Sequence, residues 1–214
     1  MKRHIALFTI ALFPVLAHCE PTKNSDKPVA PAAAKSPQIL LKTSEGEIVL
    51  ELNAAKAPVT VENFLTYVKK KHYDGTVFHR VMPDFMIQGG GFEVDGAGLT
   101  EKTSGKPITN EGQNGLKNER GTIAMARTSD PNSAKAQFFI NVVDNAMLDY
   151  PNGGGYAVFG KVIKGMDVVD KIKAVPTGAA KLTMIHPATG GKLEIPSENV
   201  PTKNVVIQAA TLVE

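Results

Sequence analysis

Short apolar runs follow one another along this chain: TVFHRVM, FMIQ, TIAMAR, QFFINV, YAVFGKVI and NVVIQAATLV, divided by Gly, Pro and Asn. Each has the length and composition of a strand. A hairpin precedes them, in which Ile39-Leu40-Leu41 and the alternating Ile48, Leu50 and Leu52 bracket Ser44-Glu45-Gly46. Helical spacing occurs twice. Val61, Phe64, Leu65 and Val68 share one helical face, with Pro58 at its approach, Thr60 as the expected cap and Asp74-Gly75 as the closing turn. Met166, Val169 and Ile172 give a second, short helix, and residues 145 to 149 read as a helical turn. Strands and helices never alternate in a βαβ rhythm, so the pattern predicts an antiparallel barrel or sandwich closed by helices. Residues 176–203, around LTMIHPATGGKLEI, read as an extra hairpin or a loop.

The folded part begins near residue 38. MKRHIALFTIALFPVLAHCE places basic residues before about 13 mostly apolar ones, the pattern of a signal peptide and too short for a membrane span. Cleavage after Ala17 is one reading. Leu16-Ala17-His18-Cys19 is also similar to a bacterial lipobox, with Cys19 lipidated, although His18 departs from that pattern. Both readings export the protein. Residues 20–37 are rich in Pro, Ala, Lys and Ser and cannot offset the entropy of ordering, which predicts a flexible linker between a 1–19 leader and a 38–214 domain.

Charge and cysteine usage narrow the function. The formal net charge is +3, and without Lys2 and Arg3 it is about +1, too weak to point to nucleic acid. The single cysteine excludes an internal disulfide or a cysteine zinc site, and no HExxH spacing suggests another metal. With no long amphipathic seam left over, the chain reads as a monomer.

FHRVMPDFMIQGGGF, residues 78–92, is the anomalous stretch. An arginine cannot shed its charge, so Arg80 needs either solvent or a task. Period two puts Phe78, Arg80 and Met82 on one face; Met86 and Gln88 also share a face, and one surface can form from the arginine, the glutamine and several apolar groups. Glycines 89–91 permit a sharp turn or a close approach. No Gly-x-Ser-x-Gly accompanies His79, and GGG lacks the Lys-Ser/Thr of a phosphate loop. An arginine among apolar groups can bind an anion, or it can stabilise a charge shift in a neutral substrate. Rotation about an Xaa–Pro bond is such a shift, because the twisted amide nitrogen regains a lone pair that a guanidinium can bind. The barrier is about 18–20 kcal/mol, and a millionfold acceleration needs roughly 8 kcal/mol.

FHRVMPDFMIQGGGF, AMARTSDPNSAKAQFFINV and YAVFGKVIKGMDVVDKI together closely resemble the cyclophilin family of peptidyl-prolyl cis–trans isomerases, most of all its exported bacterial branch. The resemblance runs almost continuously over about residues 38–175 and resumes in the final strand. It implies a mainly β fold, an eight-stranded antiparallel barrel capped by two α-helices. It implies proline-containing, unfolded or extended polypeptides as substrates, no cofactor, and a periplasmic location with membrane contact only through a lipid on Cys19. Arg80 matches the arginine credited with catalysis. Phe85, Met86, Phe139 and Leu148 match the proline pocket, and Gln88 matches the glutamine that orients the arginine. Ala126, Arg127 and Gln137 fall where the peptide main chain binds.

Two positions depart from the family. Met147 stands where many members carry Trp, and Tyr156 where many carry His. Met147 keeps an apolar wall without an indole N–H, which argues against tight cyclosporin binding. Phe85, Met86 and Phe139 are expected half-buried on the groove floor, Phe78 and Phe138 in the core, and His79 either structural or beside the site. The main reading is an isomerase assisting the folding of exported proteins. The alternative is a peptide-binding chaperone module whose isomerase activity is incidental.

Overall fold

The computed structural model describes residues 36–213, apart from 97, 187 and 188. The expected leader over 1–19 with Cys19, and the linker up to residue 35, lie outside the described residues.

The predicted N-terminal hairpin is formed by β1 (Gln38–Thr43) and β2 (Gly46–Leu52). Ile39, Leu41, Ile48, Leu50 and Leu52 are fully buried, as their alternation requires. Thr43 Oγ1 fixes the turn by accepting the Glu45 and Gly46 N–H groups, each at 3.1 Å. Helix α1 (Pro58–Lys69) buries Val61, Phe64, Tyr67 and Val68. The expected capping role of Thr60 is not found. Pro58 starts the helix earlier, at a position where its missing N–H costs nothing, so Thr60 lies inside the first turn. There its N–H is one of the orphan donors, and Glu111 supplies the acceptor. The Glu111 carboxylate accepts from Val59 N at 3.1 Å, Thr60 N at 2.8 Å and Thr60 Oγ1 at 2.6 Å.

The remaining elements are β3 (Thr76–Met82), β4 (Met86–Asp95), β5 (Gly98–Glu101), β6 (Thr122–Met125), β7 (Phe138–Asn141), β8 (Val158–Lys164), helix α2 (Met166–Lys173), β9 (Thr177–Ile185), β10 (Lys192–Pro201) and β11 (Ile207–Val213). Antiparallel neighbours run β3-β4-β7-β6-β8-β2-β1-β11, the eight strands expected. The ring returns on itself without a continuous ladder. A single bridge joins Val77 and Val206, flanked by Phe78 N–H donating to Val205 O at 2.9 Å and Gly75 N–H donating to Ile207 O at 2.8 Å.

Three further strands extend from the β4 edge. β5 pairs with β4, β9 runs parallel to β5 through Leu99–Leu182 and Thr100–Thr183, and β10 pairs with β9. The 176–203 segment is therefore a long hairpin. The short Gly-Leu-Thr-Glu strand β5 gives no periodic signal by itself and exists because β4 and β9 flank it.

The main core fills the ring. Phe64 packs against Tyr73 at 4.9 Å, Phe159 at 5.1 Å and, edge-on, Phe138 at 5.7 Å between ring centroids. α2 adds Val169 and Ile172, on the face predicted from their spacing. A smaller core of Val77, Phe92, Leu99, Leu182 and Val200 fixes the β9–β10 hairpin to the barrel wall.

Candidate active site

Alternation along the wall assigns two faces. Ile87, Ile123, Met125, Phe138 and Ile140 enter the barrel core. Met86, Ala124 and Phe139 form a separate apolar cluster on the opposite face, with Met82, Phe85, Leu148 and Tyr156 packed against it. The site is built on this outer face.

Strand β3 breaks the alternation. Phe78 pairs with Gly89 and Arg80 with Gln88, so two steps of β3 oppose one of β4 and His79 is left over. Such a bulge re-aims the residues beyond it. Phe78 and Val81 both reach the core, while Arg80 reaches the outer pocket and Met82 the outer cluster. The expectation that Phe78, Arg80 and Met82 share a face is thus corrected for Phe78, which is core as its own apolarity suggested. His79 is structural and does not line the pocket. Its ring lies 4.5 Å from Phe92, and burial above all pushes its pKa down to about 3, so it stays neutral.

The glycines have steric reasons. Gly90 adopts φ +82°, and a Cβ there would meet Phe138 Cε1 at 2.8 Å. At Gly91 a Cβ would lie 2.3 Å from Gln137 Cγ, so only glycine lets Gln137 lie flat on β4. From there Gln137 Oε1 accepts the Gln88 side-chain amide at 2.9 Å.

The outer face holds a cavity of about 100 Å³ lined by Arg80, Phe85, Met86, Gln88, Ala126, Arg127, Phe139, Leu148 and Tyr156. The structure therefore brings together every predicted site residue except Gln137 and Met147. Gln137 lines the adjoining compartment. Met147 is 70% exposed in a 3₁₀ turn (Ala146–Leu148) and lies outside the cavity lining, contrary to its expected place as a pocket wall; Leu148 of the same turn lines the cavity instead. Phe85 is half-buried as expected. Met86 and Phe139 lie deeper, at 2% and 4% exposure, because Ala124 and Val158 pack under them.

The two arginines differ in commitment. Arg127 donates to Thr128 O at 2.9 Å, Gly153 O at 2.7 Å and Gly155 O at 3.1 Å, and its guanidinium carbon sits 4.1 Å from the centroid of the Tyr156 ring. It clamps the 153–155 loop and holds Tyr156 edge-on to Phe139 at 5.8 Å. Arg80 is half-buried, and among the described residues no side-chain hydrogen bond or ion pair engages its guanidinium. A charged donor therefore lines a pocket beside the Met86–Phe139 apolar cluster without a protein hydrogen-bond partner for its guanidinium among the described residues.

Sequence reasoning missed the polar network that sets the pocket's end wall. Asn145 Nδ2 donates to Phe85 O at 2.8 Å and to Asn141 Oδ1 at 2.7 Å. Asn141 Nδ2 donates to Thr122 Oγ1 at 2.9 Å and to Asn118 Oδ1 at 3.2 Å. Asn118 in turn donates its backbone N–H to Asp149 Oδ1 at 2.8 Å. Burial alone would raise the Asp149 carboxyl, but the Asn118 donors and the nearby Lys117 outweigh it and hold the pKa below the usual carboxylate range. Tyr156 N–H donating to Leu148 O at 2.8 Å ties the two remaining pocket residues together. The asparagine in QFFINV, polar within an otherwise apolar strand, is the sequence signal for this network.

This geometry suits a neutral, partly apolar ligand with an acceptor for Arg80. Among the described residues no group of three or more His, Cys, Asp or Glu could hold a metal ion.

Comparison with known proteins agrees with the geometry. Residues 38–211 match the family model described as cyclophilin type peptidyl-prolyl cis-trans isomerase/CLD. The chain is 54% identical over 176 residues to peptidyl-prolyl cis-trans isomerase cyp18 of Streptomyces antibioticus, covering 80% of this chain and 96% of that protein. It is 50% identical over 184 residues to peptidyl-prolyl cis-trans isomerase A of Dickeya dadantii, covering 86% and 88%. Isomerase B of Escherichia coli is 47% identical over 180 residues, covering 82% and 99%. A cyclophilin-type isomerase of Cryptosporidium parvum shares the fold at TM-score 0.63 and 24% identity, over 84% of this chain and 98% of that one. The bulged arginine strand, the outer apolar pocket and these matches lead to one conclusion: the chain belongs to the cyclophilin-type peptidyl-prolyl cis–trans isomerases.

Proposed function

We propose that Arg80 is the catalytic residue and that the outer cavity receives the proline ring of an Xaa–Pro segment. Phe85, Met86, Phe139 and Leu148 would supply the apolar walls, with Tyr156 as the aromatic side held by Arg127. Gln88, oriented by Gln137, would bind the peptide backbone together with the main chain at Ala126 and Arg127. Met147 would act at the rim.

The observation that carries this reading is the uncommitted Arg80 guanidinium beside an apolar cavity. In the planar amide the nitrogen lone pair is delocalised and offers little to a donor. In the twisted state the lone pair is localised, and Arg80 binds it. The interaction therefore strengthens on the way to the transition state, which is what lowers a barrier. The walls fix the ring and exclude competing water, so the donor acts in a low-dielectric setting.

The substrates in this reading are unfolded or extended segments of exported proteins, and the enzyme acts as a monomer. Support for export is the leader-like 1–19 segment and the Pro/Ala-rich stretch after it. The mass of the mature N-terminus tests it: a chain beginning at His18 means simple cleavage, a lipidated Cys19 means an anchored enzyme, and an intact Met1 refutes export.

Refolding of an exported protein whose slow phase is a proline isomerisation tests the role. The wild type should accelerate that phase and Arg80→Ala should not. Equal acceleration by both would favour a binding chaperone whose isomerase activity is incidental.

A further inference from the structure

Beyond the proline pocket, the groove continues into a second cavity of about 470 Å³, and the two share Gln88, Ala126 and Arg127. We propose that the β9–β10 hairpin is part of the substrate groove. Met184 and Ile185 are specificity-determining residues, which favour substrates with a bulky apolar side chain near the Xaa–Pro pair. This inference rests on the isomerase site assigned above.

Both residues line the second cavity and come from the hairpin rather than from the barrel. Their position is built, not incidental. The parallel ladder to β5 at Leu99–Leu182 and Thr100–Thr183 fixes the strand, and Leu182 is buried in the small core beneath it. The last step is a hydrogen bond from Ile185 N–H to Glu101 Oε2 at 2.9 Å.

That bond also changes the cavity's chemistry. Glu101 lines the same cavity, and the hairpin backbone occupies one of its carboxylate oxygens. Lys102, also in the lining, is engaged by Glu93 at 3.4 Å and by Asp74 O at 3.1 Å. Asp130 accepts the Asn132 N–H at 2.9 Å within its own turn. Glu101, Lys102 and Asp130 are thus engaged by protein groups, Lys135 is an exposed lining charge, and the large apolar side chains on offer are Met184 and Ile185. A thioether with several rotatable bonds adapts to differently shaped apolar partners. An extended chain advances about 3.3–3.6 Å per residue, so a side chain a few residues from the proline reaches a compartment that adjoins its pocket.

Exchange NMR on a family of alanine-based Xaa–Pro peptides, with one Leu or Lys moved through the flanking positions, tests this. For the wild type, Leu should exceed Ala in kcat/KM by about tenfold at one position. The double variant Met184→Ser/Ile185→Ser should reduce that preference to about twofold or less. Lys181→Ala, which removes only the exposed hairpin ion pair to Glu194, should keep it. In parallel, the Met184 methyl resonance of the wild type should shift on titration with the Leu peptide and not with its Ala counterpart. A flat scan from an active wild type, or a preference retained in the folded double variant, overturns the proposal. If the double variant does not fold, an unmoved Met184 methyl overturns it. A wild type that accelerates none of the peptides removes the isomerase site itself, and this inference with it.

Discussion

Arg80 stands opposite Gln88 across the β3–β4 ladder, one step past the bulge that leaves His79 unpaired. That pairing sets which side chains share the outer pocket. Without the extra residue, strict alternation would place Arg80 on the same face as the core residue Phe78. An unpaired guanidinium in that core would be very costly. The bulge resolves the conflict between an apolar strand and a charged group on it.

Gly91→Ala should damage catalysis more than stability. The new Cβ would meet Gln137 Cγ at 2.3 Å, so Gln137 must swing off β4 and its bond to Gln88 is lost. Overpacking of this kind costs about 1–3 kcal/mol. Urea unfolding gives the stability change, and peptide exchange should show kcat/KM reduced about tenfold or more. Unchanged kinetics would mean that Gln137 does not orient Gln88 in the working enzyme.

Asn145→Ala should loosen the pocket from behind. It strips Asn141 Oδ1 of its donor in a buried setting and leaves Phe85 O with the Val142 N–H alone, at 3.2 Å. An unsatisfied buried acceptor costs about 1–3 kcal/mol. A raised KM with a smaller change in kcat is expected, because Phe85 shapes binding while Arg80 is untouched. A stability change within about 0.5 kcal/mol would show that solvent replaces the network freely.

His79 should make the fold acid-sensitive. Its folded pKa is about 3, depressed mainly by burial, against an ordinary value of 6.5. As pH falls below 6.5 the unfolded chain takes up a proton that the folded chain refuses, so stability is full above 6.5 and lost toward pH 3. The slope from this residue approaches about 1.4 kcal/mol per pH unit. His79→Phe should flatten the difference between unfolding at pH 7 and at pH 4.5. Asp149 and Asp170, also held low, leave residual acid sensitivity in both proteins, so the difference between them is the readout. Identical pH profiles would contradict a neutral, buried His79.

Part of this site was legible because period two puts Met86 and Gln88 on one face of β4. Ala126 and Phe139, which line the same cavity, were pointed to by the motif resemblance alone. What alternation misread was β3, because a bulge depends on the opposing strand and leaves no local mark: TVFHRVM alternates acceptably in either register. Thr60 misled for a related reason. Its acceptor, Glu111, comes from 51 residues away, and capping rules see only neighbours. Residues 176–203 showed their turn signals, but only the exposed edge of β5 decides that they pair as a hairpin against the groove.

The most direct test is the exchange rate of a short Xaa–Pro peptide, measured by NMR with wild type and Arg80→Ala, alongside the peptide Kd of each. The rate should fall about a hundredfold, equivalent to about 3 kcal/mol of transition-state stabilisation, while Kd changes only a few-fold. A folded Arg80→Ala variant that retains the wild-type exchange rate would contradict the assignment of catalysis to Arg80.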